Sequence, residues 1–425
     1  MFQVAIPSLG RHDSIAKNTL ALLQKHGVER SQITVFVIEN EYDAYRSTLS
    51  DEISIVIGVP GIVAQRQYIV EHYPENTHLL CCDDDLSEIQ GFDGSLLDFI
   101  NTAFDDLVKN DAYLFGIHPC WNQFFRQRNK YMTTYLTFII GSFYGIRVRH
   151  SDDLKTTVAL NEKEDCERTL RYFIKDGCVI RYSKIGVKTK QFKRGGMGTL
   201  SARLADTKTD ADRIFNTFGL PYCSIRESKK GTTEIKLNEI PQRKSSDVVR
   251  LLNPVPPETF DTLYNMLSKI TIRMSRTILA KPGSKHKYNS QTRRGFDDHR
   301  NACFGMVKQR IRVPGTDLKQ QSAYSKKYPA IHDEIFKIGK MICPFEFSSV
   351  HLNHNVVCPP HFDSKNAGES VIVSFGDYTG CNLIVNGTEF NAKYQPLTFN
   401  GSCLLHYNTP LESGNKYSLV FYNNK

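Results

Sequence analysis

The feature that most constrains this chain is a change in the rhythm of its apolar residues. Over the first 200 positions, strand-length apolar runs (Phe2–Ile6, Ile33–Ile38, Ile53–Gly58 and His78–Cys82) are continuous rather than alternating. A strand that is apolar on both faces is buried on both, which argues for a mainly parallel sheet with helices on each side. The intervening stretches support this. Asp13–Leu23 and Ile62–His72 carry helical spacing, with Asp13 or Ser14 as expected N-cap of the first. Tyr113–Ile117, Leu136–Val148 and Val179–Thr189 read as further strands, and Arg168–Ile174 as helical. Beyond Ser348 the rhythm shortens to small strands with turn signals: Val350–Asn353, Val371–Phe375, Leu383–Val385 and Tyr417–Phe421. That pattern suggests an antiparallel sandwich or barrel.

Between these regions, Asn238 to Glu258 is rich in proline and charge, and Glu258–Leu279 is amphipathic and helical. The expected organisation is an α/β domain over 1–240, a linker over 241–257, and a second domain over 258–425. Such a division suits 425 residues, long for one core. No apolar run reaches the ~18 residues of a membrane span. The start, Met-Phe-Gln-Val-Ala-Ile-Pro, reads as a first strand rather than a signal peptide. The 11 cysteines are odd in number and lack CxxC pairs. They read as reduced thiols in a cytoplasmic or nuclear, not secretory, compartment. Two sequons, at Asn386 and Asn400, then read as turns.

Charge is unevenly spread. Residues 241–330 hold 18 Lys+Arg against 6 Asp+Glu, so all the positive excess of the chain lies there. Such a block is either a solvated face or a phosphate-binding surface.

Two constellations carry candidate chemistry. In the C-terminal part, His361-Phe-Asp363 is a His-x-Asp pair that a strand would present on one face. With His406 downstream it makes a two-histidine, one-carboxylate set suited to Fe(II), leaving positions for a 2-oxo acid and O2. Lys416 and Ser418, ten and twelve residues after His406, offer a cation and a hydroxyl for the far carboxylate of 2-oxoglutarate. In the N-terminal part, Asp83-Asp84-Asp85 stands where an apolar strand ends, the place where open α/β sheets bind ligands. The triplet is either a solvated turn or a site for Mn2+ or Mg2+. Glu164-Asp165 opens a helical stretch, as a carboxylate pair able to deprotonate a hydroxyl or as plain helix-terminus acids. Arg11 and Arg66 are candidates for a nucleotide's phosphates and base. Val187-Lys-Thr-Lys190 and Gly195-Gly196 would follow as a basic strand and loop.

The string Asn353–Asp363, then Ser374-Phe-Gly-Asp-Tyr-Thr-Gly-Cys-Asn-Leu383, Phe399-Asn-Gly401 and Gly414–Phe421, resembles the TET/JBP family of nucleic-acid dioxygenases. The resemblance implies a double-stranded β-helix (jelly-roll) core within an α+β domain. It also implies hydroxylation of the 5-methyl group of thymine or 5-methylcytosine in DNA. That family usually has arginine where this chain has Lys416, which can hold a carboxylate only as a point charge. Residues 2–200 are similar to the GT-A, Rossmann-like glycosyltransferases found with TET/JBP enzymes, the base J glucosyltransferase among them. The likeness rests on Ile6-Pro-Ser8, Arg11, Asp83–Asp85, Glu164-Asp165-x-x-Arg168, Arg171-Tyr172, Lys175-Asp-Gly177 and Val187–Gly196. It implies a nucleotide-sugar donor such as UDP-glucose, Asp83 and Asp85 at the metal, and Asp165 or Glu164 as base. The expectation is a bifunctional enzyme that hydroxylates a pyrimidine methyl group and then glycosylates it, with 241–330 gripping DNA and no membrane partner. Collagen lysyl hydroxylases, which also join the two activities, offer a protein-modifying alternative.

Overall fold

The computed structural model describes residues 2–157, 159, 162–189, 200–227, 233–270, 300–308 and 319–425. Lys190, Gly195, Gly196 and much of the basic block 241–330 lie outside these. The chain divides into two compact units, Met1–Gln242 and Arg243–Lys425. The segment expected as linker joins the second unit from Arg243 onward, with Val255 in its core. Among the described residues no helix is long and apolar enough to cross a membrane.

The first unit is built on nine strands: β1 Gln3–Pro7, β2 Ile33–Val37, β3 Ser54–Ile57, β4 His78–Cys82, β5 Leu86–Gln90, β6 Leu114–His118, β7 Met132–Thr133, β8 Phe143–Arg147 and β9 Ile180–Thr189. Their order is β3-β2-β1-β4-β8-β6-β9-β5, with β7 on β9. β1 to β4 are mutually parallel, and β8 is antiparallel to both β4 and β6. It follows that β6, and β9 parallel to it, run with β4, and the sheet is mainly parallel. Alternate side chains serve two layers, as the continuous apolar strands require. Val4, Ile6, Val35, Val37, Leu80 and Cys82 join one core, which also takes in Leu96, Phe99, Ala103 and Phe104 of the helix Leu96–Lys109. On the opposite face Phe36 packs against Tyr68, His72 and Tyr73, at the end of the helix Ile62–His72.

Several expectations shift. The first helix begins after Arg11, not at an Asp13 or Ser14 cap, and Arg11 itself makes no side-chain cap. The Tyr45 hydroxyl accepts the Arg11 backbone N–H instead, at 3.1 Å. The expected strand Leu136–Val148 is regular only over β8; Gly141 interrupts it, its N–H donated to Asp165 Oδ2 at 3.1 Å. β5, the helix Leu96–Lys109 and the hairpin of β10 Cys223–Glu227 with β11 Thr233–Leu237 were not anticipated.

The second unit holds β12 Arg250–Leu251, β13 Arg300–Lys308, β14 Lys319–Gln321, β15 Ser349–His354, β16 Ser370–Phe375, β17 Tyr378–Gly380, β18 Leu383–Val385, β19 Thr388–Phe390, β20 Leu397–Phe399, β21 His406–Asn408, β22 Leu411–Gly414 and β23 Tyr417–Tyr422. One sheet runs β12-β20-β16-β23-β15-β13-β14; β19-β18-β21 and β17-β22 form smaller ones. This is a jelly-roll of antiparallel sheets with added helices. Strand period two divides the large sheet. Val350, Leu352, Val371, Val373, Leu419 and Phe421 face a core shared with the helices Asp261–Ser268 and Pro329–Ile342. The other face carries His351, Asn353, Ser370, Ser374 and Ser418, with Asn353 and Ser374 both in register with Ser418. Ile372, Val420 and Tyr422 share that face, so it is mixed, with its polar groups gathered around Ser418.

Candidate active sites

His361, Asp363 and His406 are brought together, with one ligand atom from each within 4.8 Å of the others. The pair does not lie in a regular strand as expected. His361 forms an isolated antiparallel bridge with His406, through backbone bonds of 3.0 and 3.2 Å. Asp363 hangs its N–H on Gly401 O at 2.7 Å. Main-chain bonds therefore set the spacing of all three side chains.

The imidazoles are also fixed in tautomer and orientation. His361 Nδ1 lies 2.8 Å from Pro359 O and His406 Nδ1 lies 3.0 Å from Leu404 O. A carbonyl oxygen can only accept, so each Nδ1 carries the hydrogen and each neutral ring keeps its lone pair on Nε2. Both Nε2 atoms face Asp363, at 3.8 and 3.6 Å from its carboxylate oxygens. Burial raises the Asp363 carboxyl; with the rings protonated, a bond from His406 and the positive charges of His406 and His361 outweigh it and hold it at about 2, so the carboxylate is well placed beside positive charge. Asn366 Nδ2 donates to Asp363 Oδ2 at 3.2 Å and to Ser370 Oγ at 3.1 Å, tying the carboxylate to the polar face of β16. Gly401 closes the back: a Cβ there would stand 3.2 Å from His406 Cε1 and 3.3 Å from Asp363 Oδ2. Two Nε2 donors and a carboxylate, each oriented by an outer hydrogen bond, fit a non-haem Fe(II). Bound there, the iron would supply open positions for a 2-oxo acid and O2.

Lys416 stands just before β23, only 5% exposed. Its ammonium donates to Cys381 O at 2.5 Å and lies 5.5 Å from the Tyr378 ring centre. Among the described residues it has no acidic partner. A buried ammonium holding one carbonyl is short of acceptors and suited to an incoming carboxylate. Cys381 turns that carbonyl inward from a left-handed backbone, φ 51°. Ser418 Oγ accepts from Asn353 Nδ2 at 3.3 Å, and Tyr378 shares a 2.7 Å bond with Ser374. Asn353, Asn366, Ser374, Tyr378 and Gly401 escaped the residue-by-residue reading, although most lie inside the strings that carried the family resemblance.

In the first unit the aspartates separate. Asp83 meets Arg66 Nη2 at 2.8 Å, whereas Asp84 and Asp85 share Arg11 at 2.5 and 3.3 Å. Ser8 Oγ donates to Asp84 Oδ2 at 2.5 Å. Burial raises the Asp83 carboxyl above the usual range, against the pull of Arg66, and Asp85 is raised likewise against Arg11. Arg66 also pairs with Glu164, which meets Arg168 Nη1 at 2.8 Å. Asp83, Arg66, Glu164 and Arg168 thus form one alternating line of charge from the end of β4 to the helix Glu164–Asp176. It borders a cavity of about 110 Å3 that Gln67, Tyr144 and Tyr172 also line. Asp165 accepts backbone N–H groups from Gly141 and Cys166, at 3.1 and 2.9 Å. In this arrangement Arg11 and Arg66 hold protein carboxylates, and Glu164 and Asp165 are both engaged.

No family model matches the chain, and no curated protein does. Among solved structures, similarity is found to NgTET1 in complex with 5mC DNA, at 14% identity over 42% of this chain and 72% of that one, TM-score 0.27. S. aureus TarS 1–349 is similar at 14% identity over 51% and 65%, TM-score 0.34. A Pseudomonas putida prolyl-4-hydroxylase is similar at 11% identity over 43% and 95%, TM-score 0.25. Similarity at this level transfers no chemistry, which has to come from the side chains.

Proposed function

We propose that the chain is a bifunctional DNA base-modifying enzyme. Its second unit would hydroxylate the 5-methyl group of a pyrimidine, using Fe(II), 2-oxoglutarate and O2. Its first unit would then transfer a sugar, glucose from UDP-glucose being the leading case, to the new hydroxymethyl group. The observation that carries the reading is the pair of imidazoles whose Nδ1–H groups are spent on carbonyls, so that both Nε2 lone pairs converge with Asp363. Lys416 would receive the far carboxylate of the 2-oxo acid, with Ser418 beside it. On the transferase side, Asp83 and Asp85 would hold Mn2+ or Mg2+ under the donor's diphosphate, and Arg11 and Arg66 would exchange carboxylate for phosphate. Asp165 or Glu164 would take the acceptor's proton. The reacting base has to leave the duplex stack for either step, and cations within 241–330 would hold the phosphates.

Methylated and unmethylated DNA, incubated with Fe(II), 2-oxoglutarate and UDP-sugars and then digested to nucleosides, tests this by mass spectrometry. A hydroxymethyl nucleoside should appear without the donor and a hexosyl nucleoside with it. If neither forms under any combination, the proposal fails.

A further inference from the structure

Past the end of β6 the chain builds a short helix, Gln123–Gln127, started by Asn122 Oδ1, which accepts the Phe124 N–H at 3.0 Å. Its fourth residue, Arg126, is 1% exposed and has no acidic partner among the described residues. The guanidinium donates instead to three backbone carbonyls: Trp121 at 3.0 Å, Gln90 at 3.4 Å, and Lys184. Room for it comes from Gly91 and Gly186, where a Cβ would fall 2.9 Å from Arg126 Nη1 and Nε respectively. A buried guanidinium without a counter-ion is a costly way to anchor a surface turn. What the anchor holds outward is two phenyl rings.

Phe124 and Phe125 are each 59% exposed, edge to face with centres 5.5 Å apart. The Arg128 guanidinium lies over Phe124 at 5.1 Å, and the Lys188 ammonium over Trp121 at 5.9 Å. Lys130 and Lys184 are exposed on neighbouring segments, and Tyr131 is 40% exposed. No acidic residue occurs between Asp111 and Asp152. The nearby acids come from other segments: Glu88, in register with Lys188, and Asp93 and Asp106, whose charges bear on Tyr131. β6 runs with β4, so the chain leaves β6 toward this platform at the same carboxyl edge of the sheet at which Asp83–Asp85 follow β4. Acceptors enter α/β sheets at that edge.

We propose that Phe124 and Phe125, with Arg128, Lys130, Lys184 and Lys188, form a platform for single-stranded nucleic acid, a base stacking on the rings while the cations take the phosphates. The proposal rests on the DNA-modifying reading and specifies how the first unit receives its acceptor. Exposed aromatic faces interleaved with cations bind unstacked bases in this way. A membrane surface would also accept aromatics and cations, but a five-residue helix with two rings offers little apolar area to bury.

The test uses the full chain and a fluorescent single-stranded oligonucleotide, followed by anisotropy across a salt series. Phe124→Ala with Phe125→Ala should weaken binding roughly tenfold or more at unchanged salt slope. Arg128→Ala with Lys130→Ala should make the salt slope shallower by about 1.4. The Phe124→Leu, Phe125→Leu pair keeps apolar area without a stacking face; it should lose binding, and full retention would overturn the proposal. So would capture of the wild type by phosphatidylserine vesicles that the Ala pair abolishes while oligonucleotide binding stays unchanged. Wild-type chain with no affinity for the oligonucleotide at low salt would count against the DNA-modifying reading itself. Wild-type binding matched within twofold by the Ala pair would sink the platform alone.

Discussion

Replacing Gly401 by alanine probes the candidate metal site of His361, Asp363 and His406 through packing alone, because none of the three is removed. The added Cβ would lie 3.2 Å from His406 Cε1, 3.3 Å from Asp363 Oδ2 and 3.5 Å from Asp363 Cβ. Ordinary carbon contacts begin near 3.4 Å, so the carboxylate or the imidazole has to give by a few tenths of an ångström. Metal-ligand distances tolerate only about 0.2 Å. Neither neighbour can yield freely: Asp363 is held by Asn366 and by its own N–H on Gly401 O, and His406 by Leu404 O and the His361 bridge. Displacements of this kind cost about ten- to a hundredfold in metal affinity, or at least about 1.4 kcal/mol. Anaerobic titration of chelator-stripped protein with Co(II), followed by calorimetry, gives the affinity directly. A melting curve without metal reports the fold, and a shift under about 3 °C is expected. Binding within twofold of wild type would refute the packing argument. A variant that fails to fold would also refute it, since Gly401 would then serve the fold and not the metal.

Lys416→Met should raise the KM for 2-oxoglutarate about tenfold or more, as loss of a charged hydrogen bond does, while the melting temperature holds or rises because a buried charge is gone. Uncoupled 2-oxoglutarate turnover and thermal melts check both. Arg66→Ala should destabilise by about 3 kcal/mol in urea unfolding, leaving Asp83 without its guanidinium while Glu164 keeps Arg168; adding Asp83→Asn should recover part of that loss, and no recovery would mean the two do not couple. Seven cysteines are buried and four partly so, and burial pushes Cys178, Cys223 and Cys403 up to about 12. At pH 8 Ellman's reagent should therefore label no more than the partly exposed Cys120, Cys303, Cys343 and Cys358 quickly, and all eleven only in denaturant. Rapid labelling of more than four would contradict this.

The sheet of the first unit was legible because burial on both faces writes a continuous apolar run, as at Ile33–Val37. The helix Leu96–Lys109 was equally legible in principle. Ser95 caps it through the Asp98 N–H at 3.0 Å, and its apolar spacing is regular, yet no element was expected between the aspartates and Tyr113. β8 misled because Gly141 carries no local sign that Asp165, far along the chain, will hold its N–H. At the His361, Asp363 and His406 cluster the candidate ligands could be read from type and spacing, whereas Asn366 and Gly401 could not. One acts through an outer hydrogen bond and the other through the lack of a side chain, and both depend on which segments fold together. The acidic triplet was visible, but not its partition between Arg11 and Arg66, which a sequence distance cannot express.

His361 and His406 are linked through each other's peptide groups before any side chain is considered. Zinc fingers, by contrast, need their ion in order to fold at all. Here the ligand spacing belongs to the main chain, and withdrawing the ion should leave the second unit folded and ready to be recharged. On the proposed reading, a cell short of iron would then hold a reserve of silent, intact enzyme rather than a pool of aggregating chains, and restoring iron would restore activity without new synthesis.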